Sequence, residues 1–259
     1  MRIYAHRGVS AHLPENTLPA FSRASELGVD GIELDVHLSA DLLPMVIHDD
    51  TADRTTNGRG SITEFTSSQL GRLDAGDGQG VPTLAQVLEL AAGKLRVNIE
   101  LKDAASADAV AAAAAAVPGL DWFASSANWL ALARLRHIRP EAMIYPLCVG
   151  RLEKLGAMLA GDGIQEQFTG RGLMAAIDFA LAHGAEGLSI WENGLDAVDV
   201  AAIHSAGLQA WAWTVNDPAR ARELAAIGVD ALCTDDPELI QRAVAGAAPA
   251  TLETVAGDA

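Results

Sequence analysis

The sequence predicts an α/β protein built as a closed (β/α)8 barrel, the TIM barrel class. Three observations carry that expectation. Short β-rich apolar runs alternate with amphipathic or Ala-rich stretches along almost the whole chain, which is the pattern of repeated βα units. Eight units are counted once a short strand at Met45 to His48 is assigned to an insertion. No glycine-rich dinucleotide fingerprint opens any of the helices, which favours a closed barrel over an open doubly wound sheet. The 259 residues suit one such barrel, and no linker divides them.

Each element follows from local chemistry. Arg2 to Ala5 is the first strand. The helix over Thr17 to Leu27 starts on an Asn16 or Thr17 cap, carries Pro19 in its first turn and stops at Gly28. Gly31 to Val36 is the second strand. A turn at Ser39 to Pro44 leads into the short strand Met45 to His48. Residues 50 to 82 are polar and glycine-rich, with a weak helix signal near Ser67 to Leu73. So long a connection at the top of a barrel shapes an active site. A helix over Thr83 to Ala92 and a strand over Val97 to Leu101 follow. Ala105 to Ala116 is a helix of high intrinsic propensity, stopped by Pro118 and Gly119. Strands at Trp122 to Ser125 and Ala142 to Tyr145 flank a helix over Asn128 to Ile138. Residues 150 to 182 read as helical, with an interruption at Gly161 to Gly172. The last strands are Gly187 to Ile190, Gln209 to Thr214 and Ala231 to Thr234. Helices over Leu195 to Ala206, Pro218 to Ile227 and Pro237 to Ala245 follow them in turn. The phrases Leu27-Gly28-Val29-Asp30 and Ile227-Gly228-Val229-Asp230 repeat one punctuation, a helix stopped by glycine before a strand. The small, polar residues 246–259 form a loose tail beyond a domain of residues 1–245.

Composition narrows the function. Lys and Arg number 18 against 34 Asp and Glu, a net charge of −16. That surface repels phosphate backbones, so nucleic acid and anionic lipid are not expected as general partners. A small anion is still admitted where a metal, Arg or Lys inverts the field locally. No apolar run is long enough to span a bilayer, and the N-terminus has no secretory h-region. Cys148 and Cys233 match no zinc spacing and read as buried thiols of a reducing cytoplasm. The expected location is therefore the cytoplasm, without stable membrane insertion. The oligomeric state is not legible.

Catalytic groups of a (β/α)8 barrel sit at the C-terminal ends of its strands. That filter selects His6-Arg7-Gly8, Glu33-Leu34-Asp35, His48-Asp49, Glu100-Leu101-Lys102, Trp213-Thr214-Val215-Asn216 and Thr234-Asp235. Glu33 and Asp35 are two apart on a strand and share a face, as do Glu100 and Lys102. Inward-facing acids require a partner or a metal. Three carboxylates from adjacent strands make an all-oxygen site that suits Mg²⁺, Ca²⁺ or Mn²⁺ rather than Zn²⁺. The competing reading is salt bridging, with Lys102 or Arg7 neutralising the acids. His6 and His48 fit general acid and base catalysis; a lone histidine at a strand end is more often structural, but here two share one sector with the acids. Arg7 and Lys102 are natural phosphate ligands, or charge balance for the same carboxylates, or both. Trp213 is a candidate pocket wall or a core residue. Asp235 either bonds a neighbouring strand end or is the turn acid before Pro237. Pro14-Glu15-Asn16-Thr17 reads as a helix start, with Thr17 as its cap. His12, His37, His137, His183 and His204 receive no role.

Taken together, these motifs resemble the glycerophosphodiester phosphodiesterase family. The resemblance runs from His6-Arg7-Gly8 to Thr234-Asp235-Asp236-Pro237. It includes Pro14-Glu15-Asn16-Thr17, Glu33-Leu34-Asp35-Val36, His48-Asp49, Arg54-Thr55-Thr56-Asn57-Gly58, Pro82-Thr83-Leu84, Glu100-Leu101-Lys102 and Trp213-Thr214-Val215-Asn216. Each motif is weak alone; their order and spacing as a set are specific. The resemblance implies a barrel with a small insertion after the second strand, here about residues 37–82. It implies one divalent cation, Mg²⁺, Ca²⁺ or Mn²⁺, held by Glu33, Asp35 and Glu100. It implies His6 and His48 as the acid–base pair, Arg7 and Lys102 on the phosphate, and a small glycerophosphodiester as substrate, cleaved to glycerol phosphate and an alcohol. The sequence departs from the family at Ser125-Ser126-Ala127, where many relatives carry an aromatic after the serine, and over residues 146–194. Two other readings are a lysophospholipase D-like phosphodiesterase and a catalytically inactive phosphodiester-binding barrel. The first needs an apolar groove or a membrane-facing helix, and the sequence has no basic amphipathic segment of that kind; the second sits poorly with a full set of acid–base and metal residues.

Overall fold

The computed structural model describes residues 1–151 and 170–245. The elements in chain order are β1 (Arg2–His6), α1 (Leu18–Glu26), β2 (Gly31–Leu38), β3 (Pro44–Val46), a 3₁₀ turn (Ile62–Glu64), α2 (Ser67–Leu70), α3 (Leu84–Ala91), β4 (Arg96–Leu101) and α4 (Ser106–Ala115). They continue with β5 (Trp122–Ser126), α5 (Trp129–Ile138), β6 (Ile144–Cys148), α6 (Leu173–His183), β7 (Gly187–Trp191), α7 (Ala197–Ser205), β8 (Gln209–Trp213), α8 (Pro218–Ala226), β9 (Ala231–Thr234) and α9 (Pro237–Ala245). The tail at 246–259 and most of the interrupted helical stretch at 150–182 lie outside the described residues.

Eight parallel strands close on themselves in the order β1, β9, β8, β7, β6, β5, β4, β2, with β2 pairing back to β1. The expected TIM barrel is the observed fold. β3 stands outside the ring, antiparallel to β2, pairing Val36 with Val46 and Leu38 with Pro44. β2 therefore runs to Leu38, and the insertion leaves the barrel one or two residues later than its expected start at 37. A small apolar cluster of its own, including Met45, Ile47, Ile62, Leu70 and Val81, supports the inserted segment.

The repeated Gly-x-Asp punctuation has a structural purpose. Gly28 and Gly228 take φ of +65° and +90°, ending α1 and α8. The aspartates then pin strand starts: Asp30 Oδ2 accepts from the Ile3 amide at 2.8 Å, and Asp230 Oδ2 from the Ala210 amide at 2.8 Å. Two local expectations fail. The strand read as Ala142 to Tyr145 is Ile144–Cys148. Pro146 removes one ladder N–H but keeps its carbonyl, and β6 pairs across it with Ser126. Thr17 stands at the N-cap of α1 without a capping hydrogen bond; its hydroxyl donates instead to the Pro14 carbonyl at 2.6 Å.

Inside the barrel, Tyr4, Phe123, Tyr145 and Trp211 stack with ring centroids 4.4 to 6.0 Å apart. Arg2 and Arg96 lie over the Trp211 and Phe123 rings, at 4.9 and 5.0 Å. Space for two of the rings is made by glycine: a Cβ at Gly31 or Gly187 would strike Tyr4 or Tyr145. This aromatic layer forms a floor, and the interior above it is open at the C-terminal ends of the strands.

Candidate active site

Above the floor lies a cavity of about 130 Å³, open to solvent and lined by His6, Arg7, Glu33, His48, Glu100 and Lys102 among others. Strand register puts these groups together. His6 of β1 stands beside Glu33 of β2, and Asp35 of β2 beside Glu100 of β4. After His6 the chain turns through left-handed backbone, with φ of +55° at Arg7 and +82° at Gly8. A side chain at Gly8 would collide with Ala20, so only glycine fits that turn. The turn lays the Arg7 amide on Glu33, 3.1 Å from Oε2 and 3.0 Å from the carbonyl oxygen.

One oxygen from each of Glu33, Asp35 and Glu100 lies within 4.8 Å of the others. Lys102 Nζ is 2.7 Å from both Asp35 Oδ1 and Glu100 Oε1, and Arg7 Nε is 3.2 Å from Asp35 Oδ2. Burial opposes charge on Asp35, yet Lys102 and Arg7 outweigh it and hold the carboxyl well below the usual range. Glu33 goes the other way: burial and the Asp35 charge push it up. Among the described residues its ion-pair partner is His6, with Nε2 at 3.9 Å, rather than a Lys or Arg. Glu33 is thus the carboxylate that most needs another cation. Three hard oxygen donors with surplus negative charge fit a divalent ion such as Mg²⁺ or Ca²⁺. Arg7 and Lys102 both line the cavity while pairing with the acids.

Each histidine is bound at Nδ1 by a carboxylate. His6 Nδ1 is 2.6 Å from Asp235 Oδ1, which also accepts from Ser10 Oγ at 3.0 Å, while Asn216 Nδ2 holds Oδ2. His48 Nδ1 is 2.7 Å from Asp49 Oδ1. A carboxylate only accepts, so Nδ1 carries the proton in each ring and Nε2 is left for chemistry. Burial works against charge on His6, but the Asp235 bond and the Glu33 charge raise it overall. Burial lowers His48, and Lys102 and Arg7 add to that against the pull of Asp35 and Asp49. Trp213, at the end of β8, lines the cavity and packs beside Ala127, Leu147, Val149 and Trp191, so it is both wall and core.

Sequence reasoning passed over several supporting residues. Asn16, read as a helix start, has φ of +57° and donates to Asp35 Oδ2 at 2.9 Å. Glu15 accepts from Arg7 Nη1 at 3.0 Å. Asp235, by contrast, follows the first of its two readings and bonds His6 at the neighbouring strand end. His37, given no role, donates from Nε2 to the His48 carbonyl at 3.0 Å. The signal was the unexplained polar motifs themselves, since capping alone needs neither Glu15 nor Asn16.

The model of the Glycerophosphoryl diester phosphodiesterase family matches residues 6–239. The Bacillus subtilis (strain 168) protein YhdW is 34% identical over 252 residues, covering 93% of this chain and 96% of its own. A phosphodiesterase of Oleispira antarctica, solved in complex with the product sn-glycerol-3-phosphate, superposes with a TM-score of 0.80 at 29% identity, covering 95% and 97% of the two chains. The glycerophosphodiester phosphodiesterase from Agrobacterium tumefaciens str. C58 gives a TM-score of 0.75 at 31% identity, over 93% of this chain and 99% of that one.

Proposed function

This chain belongs to the glycerophosphoryl diester phosphodiesterase family, a family of enzymes, and from that premise we propose that it hydrolyses small glycerophosphodiesters to glycerol phosphate and an alcohol, with His6 and His48 as the proton-transfer pair and a divalent cation on Glu33, Asp35 and Glu100. Residues 1–245 act as one catalytic domain, with the insertion as part of its rim. The observation that carries the reading is the pair of carboxylate-bound imidazoles on the cavity that Glu33 and Glu100 also line. When bound, the cation supplies Lewis-acid polarisation of the phosphoryl group.

The protein's own groups do the rest. Arg7 and Lys102 receive the phosphoryl oxygens, Arg7 by its fork and Lys102 as a point charge. The attacking oxygen, from water or from the adjacent glycerol hydroxyl, forms a new P–O bond as the bond to the leaving alcohol breaks; in the second case water then opens the cyclic phosphate, so both routes end in glycerol phosphate. One imidazole accepts the proton of the attacking oxygen at Nε2, and the other, starting protonated on both nitrogens, donates its Nε2 proton to the departing alkoxide. Asp49 and Asp235 keep the rings oriented and stabilise the charge that forms on them. Asn16 and Lys102 hold Asp35 in place.

The test is turnover of glycerophosphocholine, with glycerol phosphate as the measured product. A chelator is expected to abolish it, and Mg²⁺, Ca²⁺ or Mn²⁺ to restore it. Glu100→Ala is expected to raise the cation concentration needed for half activity, with the fold intact by circular dichroism. Full activity of Glu100→Ala in excess chelator would overturn the metal assignment.

A further inference from the structure

One motif has no part in this chemistry, Arg54-Thr55-Thr56-Asn57-Gly58 in the insertion. The Arg54 guanidinium uses two of its edges at once. Nε and Nη2 lie 2.7 and 2.9 Å from Oδ2 and Oδ1 of Asp49. Nη1 and Nη2 lie 2.9 and 2.8 Å from Oε2 and Oε1 of Glu15. Both carboxylates are therefore gripped by two parallel bonds, a geometry that a lysine ammonium does not reproduce. Asp49 Oδ1 is the atom that receives His48 Nδ1 at 2.7 Å, and Glu15 Oε1 is the atom that receives Arg7 Nη1 at 3.0 Å. A single side chain thus joins the insertion to the loop between β1 and α1, and does so through the partners of two cavity residues.

We propose that Arg54 is a positioning residue for His48, fixing the plane of the Asp49 carboxylate so that His48 keeps its proton on Nδ1 and presents Nε2 to the substrate. The proposal rests on His48 taking part in proton transfer. Geometry is the reason a clamp is needed. The Asp49 side chain is about a quarter exposed, and it follows His48 directly in the chain. An unclamped aspartate there rotates into water, and a misplacement of about 1 Å in a reacting group costs up to about 10²-fold in rate. Among the described residues nothing else holds Nδ1: Asp35, Lys102 and Arg7 act on His48 as charges, and His37 bonds its backbone carbonyl.

Arg54 is itself about half exposed, and the insertion has an apolar cluster that does not include it. Substitutions there should fold. Arg54→Ala and Arg54→Lys are compared with the wild type by kcat, KM, melting temperature and the ¹⁵N-detected tautomer of His48. The expected result for Arg54→Ala is a kcat lowered about 10- to 100-fold, KM changed less than about 3-fold, and a mixture of His48 tautomers. Added guanidinium should restore part of kcat, because the site is open to solvent. Arg54→Lys, which keeps the charge and loses the fork, should resemble Arg54→Ala more than the wild type. A wild-type kcat in Arg54→Ala overturns the proposal. So does a lowered kcat with His48 still wholly in its Nδ1–H form, which would place the effect on Glu15 and Arg7. The tautomer is read without substrate, so a failure of the proposed reaction is separable: the wild type would then be inactive whatever His48 does.

Discussion

At the scale of single residues, Arg7, Lys102, Asp35 and Glu100 form one ion-pair network at or just past the strand ends, and Glu33 stands beside it with His6 as its partner. Asp35 is completely buried and is held by Lys102, Arg7 and Asn16 together. Two ammonium or guanidinium charges over three carboxylates leave the cluster short of positive charge, and this is the physical case for a cation there. The histidines occupy similar settings from different directions. Asp235 reaches His6 from the loop after β9, and Asp49 reaches His48 from the insertion. If both rings transfer protons, His6→Ala and His48→Ala each lower kcat by about 10²-fold or more. Melting temperature and cation affinity should change little in comparison. A decrease below about 3-fold in either variant would return that histidine to a structural role.

At the scale of elements, the barrel strands carry alternating duties along one face. β1 sends Arg2 below the aromatic floor, Tyr4 into it and His6 above it; β4 sends Arg96, Asn98 and Glu100 along the same direction. The floor depends on glycine where it meets β2 and β7. Gly31→Ala forces a Cβ against the Tyr4 ring and the Arg96 carbonyl. Overpacking of that kind destabilises by about 1–3 kcal/mol. For a chain of this size each kcal/mol lowers the melting temperature by about 2–4 °C. A thermal melt checks this, and an unchanged melting temperature would mean that the Tyr4 ring has room to move. The loss should be in stability first, since Tyr4 lies one layer beneath His6.

At the scale of the whole molecule, the cationic side chains of the cavity stand out against a negative field. The net charge of −16 repels polyanions, yet Arg7 and Lys102 face the cavity. No helix among the described residues is long and apolar enough to cross a membrane. His48 of the insertion and the C-terminal ends of the strands line the opening. The expected substrates are glycerophosphocholine, glycerophosphoethanolamine and glycerophosphoglycerol, with rates within about 10-fold of one another, because the phosphate grip ignores the leaving alcohol. Phosphomonoesters should be poor, lacking the second ester arm between the two histidines. Product analysis on matched diesters and monoesters at equal concentration tests this. Monoester hydrolysis as fast as diester hydrolysis, or efficient cleavage of DNA, would contradict it.

Some of this was written in the sequence alone. Period-two placement of Glu33 with Asp35, glycine stops before strands and eight βα alternations are local or counting properties, so the barrel and its acidic strand ends were legible without coordinates. The insertion was visible as a polar, glycine-rich stretch after the second strand. Register was not legible, and register decides which groups meet. Closure of β1 on β9 brings Asp235 within 2.6 Å of His6, a pairing 229 residues apart that no spacing rule foretells. Asn16 and Glu15 looked like a helix start because their partners, Asp35 and Arg54, lie on other segments. Strand identity follows from side-chain periodicity along one chain segment, whereas hydrogen-bond partners follow from how separate segments close in space. Only the tertiary structure fixes the second.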